Sequence, residues 1–173
     1  MFAMDFGKPL VRILLVNIAA YTALVNIWPG TFAPAVASLD NWLAAWTRLP
    51  AADFSKGFFN MDGDPFWING PMHGLYGSEA YLACRTRGHS PLIAFLFAVA
   101  AATSWEYLIE SWFQQPSLLD LLWTPLAGSI IGELRFRILN GTFKNIKRRF
   151  WDVVWALTID PLGQLEHVLL SSL

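Results

Sequence analysis

A chain of 173 residues is long enough for one domain with a substantial core. It is 55% hydrophobic and 14% charged, with nine Trp and thirteen Phe; soluble domains carry roughly 45–50% and about 25%, so the composition reads as a membrane protein. A net charge of −1 gives no field to hold nucleic acid, and a lone cysteine, Cys84, excludes an internal disulfide and a multi-cysteine zinc site.

Residues 9–28 follow Lys8, include Arg12 and form an apolar run long enough to span a bilayer, with Trp28 suited to the interface. The alternative is a secretory signal, with Ala35-Val36-Ala37 as a small-x-small cleavage site. In a retained helix Asn17 and Asn26 lie on roughly opposite sides. At least one is expected to bond to a neighbouring helix, because an amide facing lipid is costly. From 29 to about 50 the chain is amphipathic and rich in Trp, which predicts a helix lying in the interface. Residues 51–68 read as loop. Within them Asp62-Gly63-Asp64 lacks the further ligand spacing and terminal Glu of a calcium loop, so it reads as a turn.

A short polar helix is predicted over 71–86, with Pro71 in its first turn and Arg85, Arg87 and Gly88 at its end. Gly70, Gly74 and Ser78 make a small stripe at four-residue spacing, and Gly77 lies beside it. Glycine inside a helix costs about 1 kcal/mol relative to alanine, which suits a place where backbones pack closely. Because this helix is short and holds His73 and Glu79, it reads as protein-shielded or re-entrant.

The stretch 94–133 reads as two apolar helices, about 91–112 and 118–135, folded back about Gln115 and Pro116. Steps of four backwards from the bend meet Glu110, Glu106, Ala102, Ala98 and Ala94; steps forwards meet Asp120, Thr124, Gly128 and Gly132. Residues four apart share a helix face. A hairpin centred near 115 therefore predicts Glu110 opposite Asp120, Glu106 opposite Thr124, Ala102 opposite Gly128 and Ala98 opposite Gly132. Glu133 is expected to pair with Arg135 or Arg137, and Glu79 to pair with Arg85 or sit at the membrane boundary. Basic residues flank both ends of the hairpin, which puts those ends in the cytoplasm and the neutral tip, 114–117, across the membrane. Lys144, Lys147, Arg148 and Arg149 read as a cytoplasmic anchor or an anionic-lipid contact. The segment 151–173 is apolar but broken at Asp160-Pro161 and Gly163; it spans, kinks or lies on the surface.

With no repeat or low-complexity tract, residues 1–173 read as a single domain. The expected architecture is all-α: a compact helical membrane bundle around an antiparallel hairpin, with the shorter polar helix and an amphipathic interfacial helix.

Ionisable groups within membrane segments cost at least about 2.5–3.5 kcal/mol at the bilayer centre and mark function by default. The candidates for chemistry are His73, Glu106 and Asp120. Glu79, Glu110, Ser117 and Thr124 are candidates for a surrounding polar or ligand-binding cluster, and Gly74, Gly77, Gly128 and Gly132 for helix packing. Clustered carboxylates cannot all stay ionised. Such a group serves as general acid or base, holds a divalent cation together with His73, or orients a head group. There is no His-x-x-x-His pair and no paired Glu-x-x-His, which speaks against zincin and di-iron sites. Ser104 and Ser117 lack a Gly-x-Ser-x-Gly elbow. The spacing identifies no particular metal or cofactor.

The series Asn69…His73-Gly74…Gly77…Tyr81, Gly88, Ser104-Trp105-Glu106…Glu110, Pro116-Ser117…Asp120…Thr124-Pro125…Gly128…Gly132-Glu133, then Asp160-Pro161, resembles an uncharacterised bacterial envelope-protein family. That family is a domain of unknown function with the same His, Trp-Glu, Ser-x-x-Asp and Gly-Glu landmarks, and the resemblance covers about 60–165. More distantly the chain is similar to VanZ-like membrane proteins. The family resemblance implies no established reaction, and the distant similarity implies only envelope work or antibiotic tolerance. Two functions are expected on this basis. One is a binding or accessory protein that recruits an envelope lipid or protein partner. The other is a membrane enzyme acting on a lipid or lipid-linked head group, with Glu106 or Asp120 as acid or base and His73 assisting. The expected location is the bacterial inner membrane, or the periplasm or outer envelope if residues 1–37 are a removed signal.

Overall fold

The apolar run after Lys8 forms α1 (Gly7–Ile27) in a computed structural model that describes residues 6–143 and 150–170. The basic cluster Lys144, Lys147, Arg148 and Arg149 lies outside the described residues. Among those residues the regular secondary structure is all helical, and the one β-like feature is an isolated bridge between Ala51 and Ser117.

The Trp-rich region is not one interfacial helix. It breaks into α2 (Pro29–Phe32), a 3₁₀ turn (Pro34–Val36) and α3 (Leu39–Ala45). The cause is local: Pro34 holds Ala33 extended, and Ser38 starts a new helix by accepting from the Asn41 N–H at 3.4 Å. Stacking of Trp42 on Trp112 and contact of Trp46 with Tyr107 then seat α3 on the far end of the next long helix.

The polar helix is α4 (His73–Arg85), entered through a π-helical turn (Ile68–Met72) that absorbs Pro71, which has no N–H to give. Ser90 caps α5 (Pro91–Ser104), which runs on as a π turn (Trp105–Ile109) and a 3₁₀ turn (Glu110–Trp112). After a tight link comes α6 (Leu118–Phe143), then α7 (Phe150–Ile159) and α8 (Pro161–Leu170), which are separated at Asp160.

The polar helix is the centre of this bundle. A Cβ at Gly77 would stand 2.0 Å from the Thr124 carbonyl oxygen, and one at Gly128 would stand 2.4 Å from the Gly77 carbonyl carbon. Both contacts are backbone on backbone, so α4 and α6 meet where neither has a side chain. Gly132 faces the Tyr81 ring and Gly74 faces Ile131. The alanines of α5 turn to the same helix: Ala94, Ala98 and Ala101 are buried with Ala80, Tyr81 and Cys84. The pairing of Ala102 with Gly128 and of Ala98 with Gly132 is therefore corrected. Both small stripes meet α4, and Gly128 and Gly132 find their nearest neighbours there.

The outward faces are apolar. On α6, Leu122, Leu126, Ile130, Leu134 and Ile138 are exposed at four-residue spacing, and α1 shows Leu10, Leu14 and Ile18. Among the described residues, two helical stretches, Gly7–Ile27 and Pro91–Trp112, are long and apolar enough to cross a membrane.

Inside, charge is paired across the bundle. Arg12 of α1 bonds both Glu79 of α4 and Asp160, while Arg135 of α6 bonds Glu79 and donates to Ser78 Oγ at 2.6 Å. Asn17 adds a tie, accepting from the Tyr76 hydroxyl at 2.8 Å; Asn26 bonds only within its own helix.

Candidate functional site

Three chain segments end at one point. The first π turn delivers His73 as the opening residue of α4, the second carries Glu106, and the first turn of α6 carries Asp120. One ligand-type atom from each lies within 4.8 Å of the other two. His73 Nδ1 stands 3.3 Å from Asp120 Oδ1 and 3.0 Å from Thr124 Oγ1. Which partner donates across the second contact is set by the imidazole tautomer.

The π turn explains the register. A wider turn advances the helix face relative to an α-helical stripe, so Glu106 does not sit opposite Thr124. Its Oε2 accepts instead from the backbone N–H of Ser117 at 2.7 Å, about two turns nearer the bend. Ser117 does three things. Its N–H holds Glu106, its hydroxyl accepts from the Asp120 N–H at 3.2 Å as the cap of α6, and the same hydroxyl donates to Asp62 Oδ2 at 2.5 Å.

Asp62 is the residue that sequence reasoning passed over. Its Oδ1 accepts from Asp64 N–H (3.0 Å) and Asn69 Nδ2 (2.7 Å), so the turn at Asp62-Gly63-Asp64 is real. The other oxygen still reaches the site. The signal was the paired acids of that fragment, read there for calcium alone. Burial, reinforced by the neighbouring Asp62, pushes the Asp64 carboxyl above its ordinary range. Glu110 is buried beside this group, accepting from the Trp105 indole N–H at 2.6 Å and from the Gln114 amide.

One expected pairing is corrected: Glu79 does not take Arg85. Glu79 lies in the Arg12–Arg135–Asp160 network. Glu133 takes Arg137 (3.0 Å), one of its two expected partners, together with Arg85 (2.9 Å) and the Tyr81 hydroxyl (2.9 Å), while Arg135 goes to Glu79. The glycines Gly74, Gly77, Gly128 and Gly132 form the α4–α6 seam and set the depth at which Thr124 meets His73.

A cleft of about 270 Å³ opens onto the site. Ala20, Leu24, Ile27, Trp28 and Phe32 give it apolar walls, and His73, Asp64, Glu110 and Gln114 give it polar ones. Glu106 and Asp120, each 1% exposed, lie behind His73. Asp120 is unusual: both carboxylate oxygens are buried without a hydrogen-bond partner. Buried polar atoms ordinarily have one.

The cap makes a checkable expectation. Ser117→Ala removes it and is expected to cost roughly 0.5–2 kcal/mol, towards the upper end because Asp62 loses its donor as well. Thermal unfolding in detergent reads this as a lowered midpoint, and an unchanged midpoint would argue against the cap.

Comparison with protein families matches residues 58–162 to the family described as Domain of unknown function (DUF3943). This is more than half of the chain, and it takes in every site residue from Asp62 to Thr124. A comparison with curated proteins gives no match, and one with solved structures gives none.

Proposed function

This chain belongs to the DUF3943 family of unknown function, so its chemistry has to be read from the site, and we propose that it is a helical membrane protein that binds an amphiphile. The ligand is a lipid or lipid-linked molecule of the bacterial envelope. Its tail lies against the apolar walls from α1 and α2, and its head group reaches His73, Asp64 and Glu110. The cleft carries this reading, because one cavity joins an apolar wall to buried polar groups. The exposed apolar rows of α1 and α6 support a bilayer around the bundle, with α5 and α6 as its antiparallel hairpin. The resemblance of the landmarks supports an envelope setting, and VanZ-like proteins remain a distant likeness. Retention of α1 is part of the proposal, since removing it strips Glu79 and Asp160 of Arg12. The inner membrane is then the setting, with the tip 114–117 on the far side from the cytoplasm.

A second reading, an enzyme acting on the head group, is favoured by one observation. A purely structural carboxylate is met by donors, as Glu79 is, whereas both oxygens of Asp120 are left open.

A photoactivatable acyl phospholipid tests the binding reading in protein reconstituted in nanodiscs. Labelling is expected on cleft residues such as Leu24 and Met72. Ala20→Trp, which fills the apolar wall, should lower it several-fold while leaving the midpoint of unfolding in place. Labelling confined to the outward rows and indifferent to Ala20→Trp would reject the cleft as the site.

A further inference from the structure

Buried charge is handled in two ways in this fold. In the Arg12–Glu79–Arg135–Asp160 network two cations meet two anions. At the site, the donors to the buried acids are neutral: Ser117 N–H for Glu106, and the Trp105 indole and Gln114 amide for Glu110. Asp120 Oδ1 lies 3.3 Å from His73 Nδ1, and both of its oxygens are buried without a hydrogen-bond partner. A buried carboxylate with no donor is expensive, and a cation between the acids removes the expense.

We propose that His73, Glu106 and Asp120 bind a divalent transition-metal ion. Several observations converge on it. The three residues come from separate elements, yet their ligand atoms lie within 4.8 Å of one another. Ligands bonded to tetrahedral zinc at about 2.1 Å stand about 3.4 Å apart, which is close to the His73–Asp120 separation of 3.3 Å. The other two edges are no longer than 4.8 Å. Asp120, 1% exposed and unpartnered at both oxygens, supplies the open ligand. One imidazole with two carboxylates suits Zn²⁺ or Mn²⁺ better than a soft ion or an all-oxygen ion such as Ca²⁺.

The outer contacts fit as well. Ser117 N–H fixes Glu106, and Ser117 is itself fixed by Asp62, which is held by Asn69. Such supports set ligand orientation. Three protein ligands leave at least one position vacant, as catalytic rather than structural sites do. The side with access is that of His73, which lines the cleft. An ion there polarises a phosphoryl or carbonyl oxygen of a bound head group, or activates a water. The inference deepens the reading above by naming the ion that meets the head group, but it rests on ligand geometry and stands apart from whether a lipid binds.

The test uses the full chain in detergent, stripped with EDTA and titrated with Zn²⁺ by calorimetry and with Mn²⁺ by electron paramagnetic resonance. One ion per chain is expected. Asp120→Asn, Glu106→Gln and His73→Gln should each weaken binding about 100-fold or more, and Asp62→Asn, acting through Ser117, about 10-fold. Glu133→Gln should leave affinity unchanged. Nitrogen coupling to Mn²⁺ in the wild type reports the imidazole directly, so the proposal stays testable if a variant fails to fold. Ala20→Trp should keep the metal while losing lipid labelling, which separates failure of one reading from failure of the other. No binding of either ion at millimolar concentration, no nitrogen coupling, or binding untouched by Asp120→Asn in folded protein would each overturn the site.

Discussion

Replacing Gly128 by leucine is expected to separate α4 from α6 and leave little folded protein. A Cβ at this position meets the Gly77 carbonyl carbon at 2.4 Å, the Gly77 Cα at 2.5 Å and the Ser78 nitrogen at 2.7 Å. All three are backbone atoms, so no side chain can swing aside. Overpacking that other side chains absorb costs about 1–3 kcal/mol; here the helices themselves must part, and the cost should exceed that range. Leu126→Ala is the control, since Leu126 is 53% exposed on the opposite face and its loss should stay near ±0.5 kcal/mol. Size-exclusion profiles and unfolding midpoints in detergent compare the two. A Gly128→Leu protein that elutes and melts like the wild type would mean that the α4–α6 seam is wrong. The same substitution reaches the site, because Thr124, whose carbonyl abuts Gly77, also carries the hydroxyl beside His73.

The second large effect is expected at Arg12. Arg12→Gln leaves Glu79 and Asp160 buried with one cation fewer, and breaking a buried pair from one side costs about 3–5 kcal/mol. Arg137→Gln removes an exposed partner of Glu133 and should cost at most about 1 kcal/mol. Adding Asp160→Asn to Arg12→Gln should recover part of the loss, because one stranded charge goes with it. If Arg12→Gln melts no lower than Arg137→Gln, α1 is not fastened to the bundle as described.

Much of the helix layout was legible because it is written locally. Ser90-Pro91 starts α5, Pro116-Ser117 separates it from α6, and Asp160-Pro161 divides α7 from α8. These signals need no knowledge of the rest of the chain. Partner choice was not legible. A row of alanines and a row of glycines each accept any close backbone, so spacing by fours could not tell whether Gly128 meets Ala102 or Gly77. The register at Glu106 failed for a related reason: a π turn leaves no composition mark, and Trp105–Ile109 reads like the α-helix before it. Pro71 was the one sequence hint of such a turn at the other end of the site. Asp62 stayed hidden because its partner, Ser117, is 55 positions away. The Arg12 network was hidden likewise, since Arg85 looked the nearer match for Glu79.

The bond between Arg12 and Asp160 spans 148 positions. In a chain made from its N-terminus, the first helix exists long before its last counter-ion does. At ordinary synthesis rates the wait is roughly 7 to 30 s. If α1 enters the bilayer as proposed, its guanidinium spends that interval reaching back to the water or the lipid phosphates on a flexible stem. Glu79 arrives first and gives a partial clasp, and Asp160 closes it. A released chain truncated before residue 160 should therefore hold α4 against α6 while α1 stays accessible to labelling, and the full chain should protect α1.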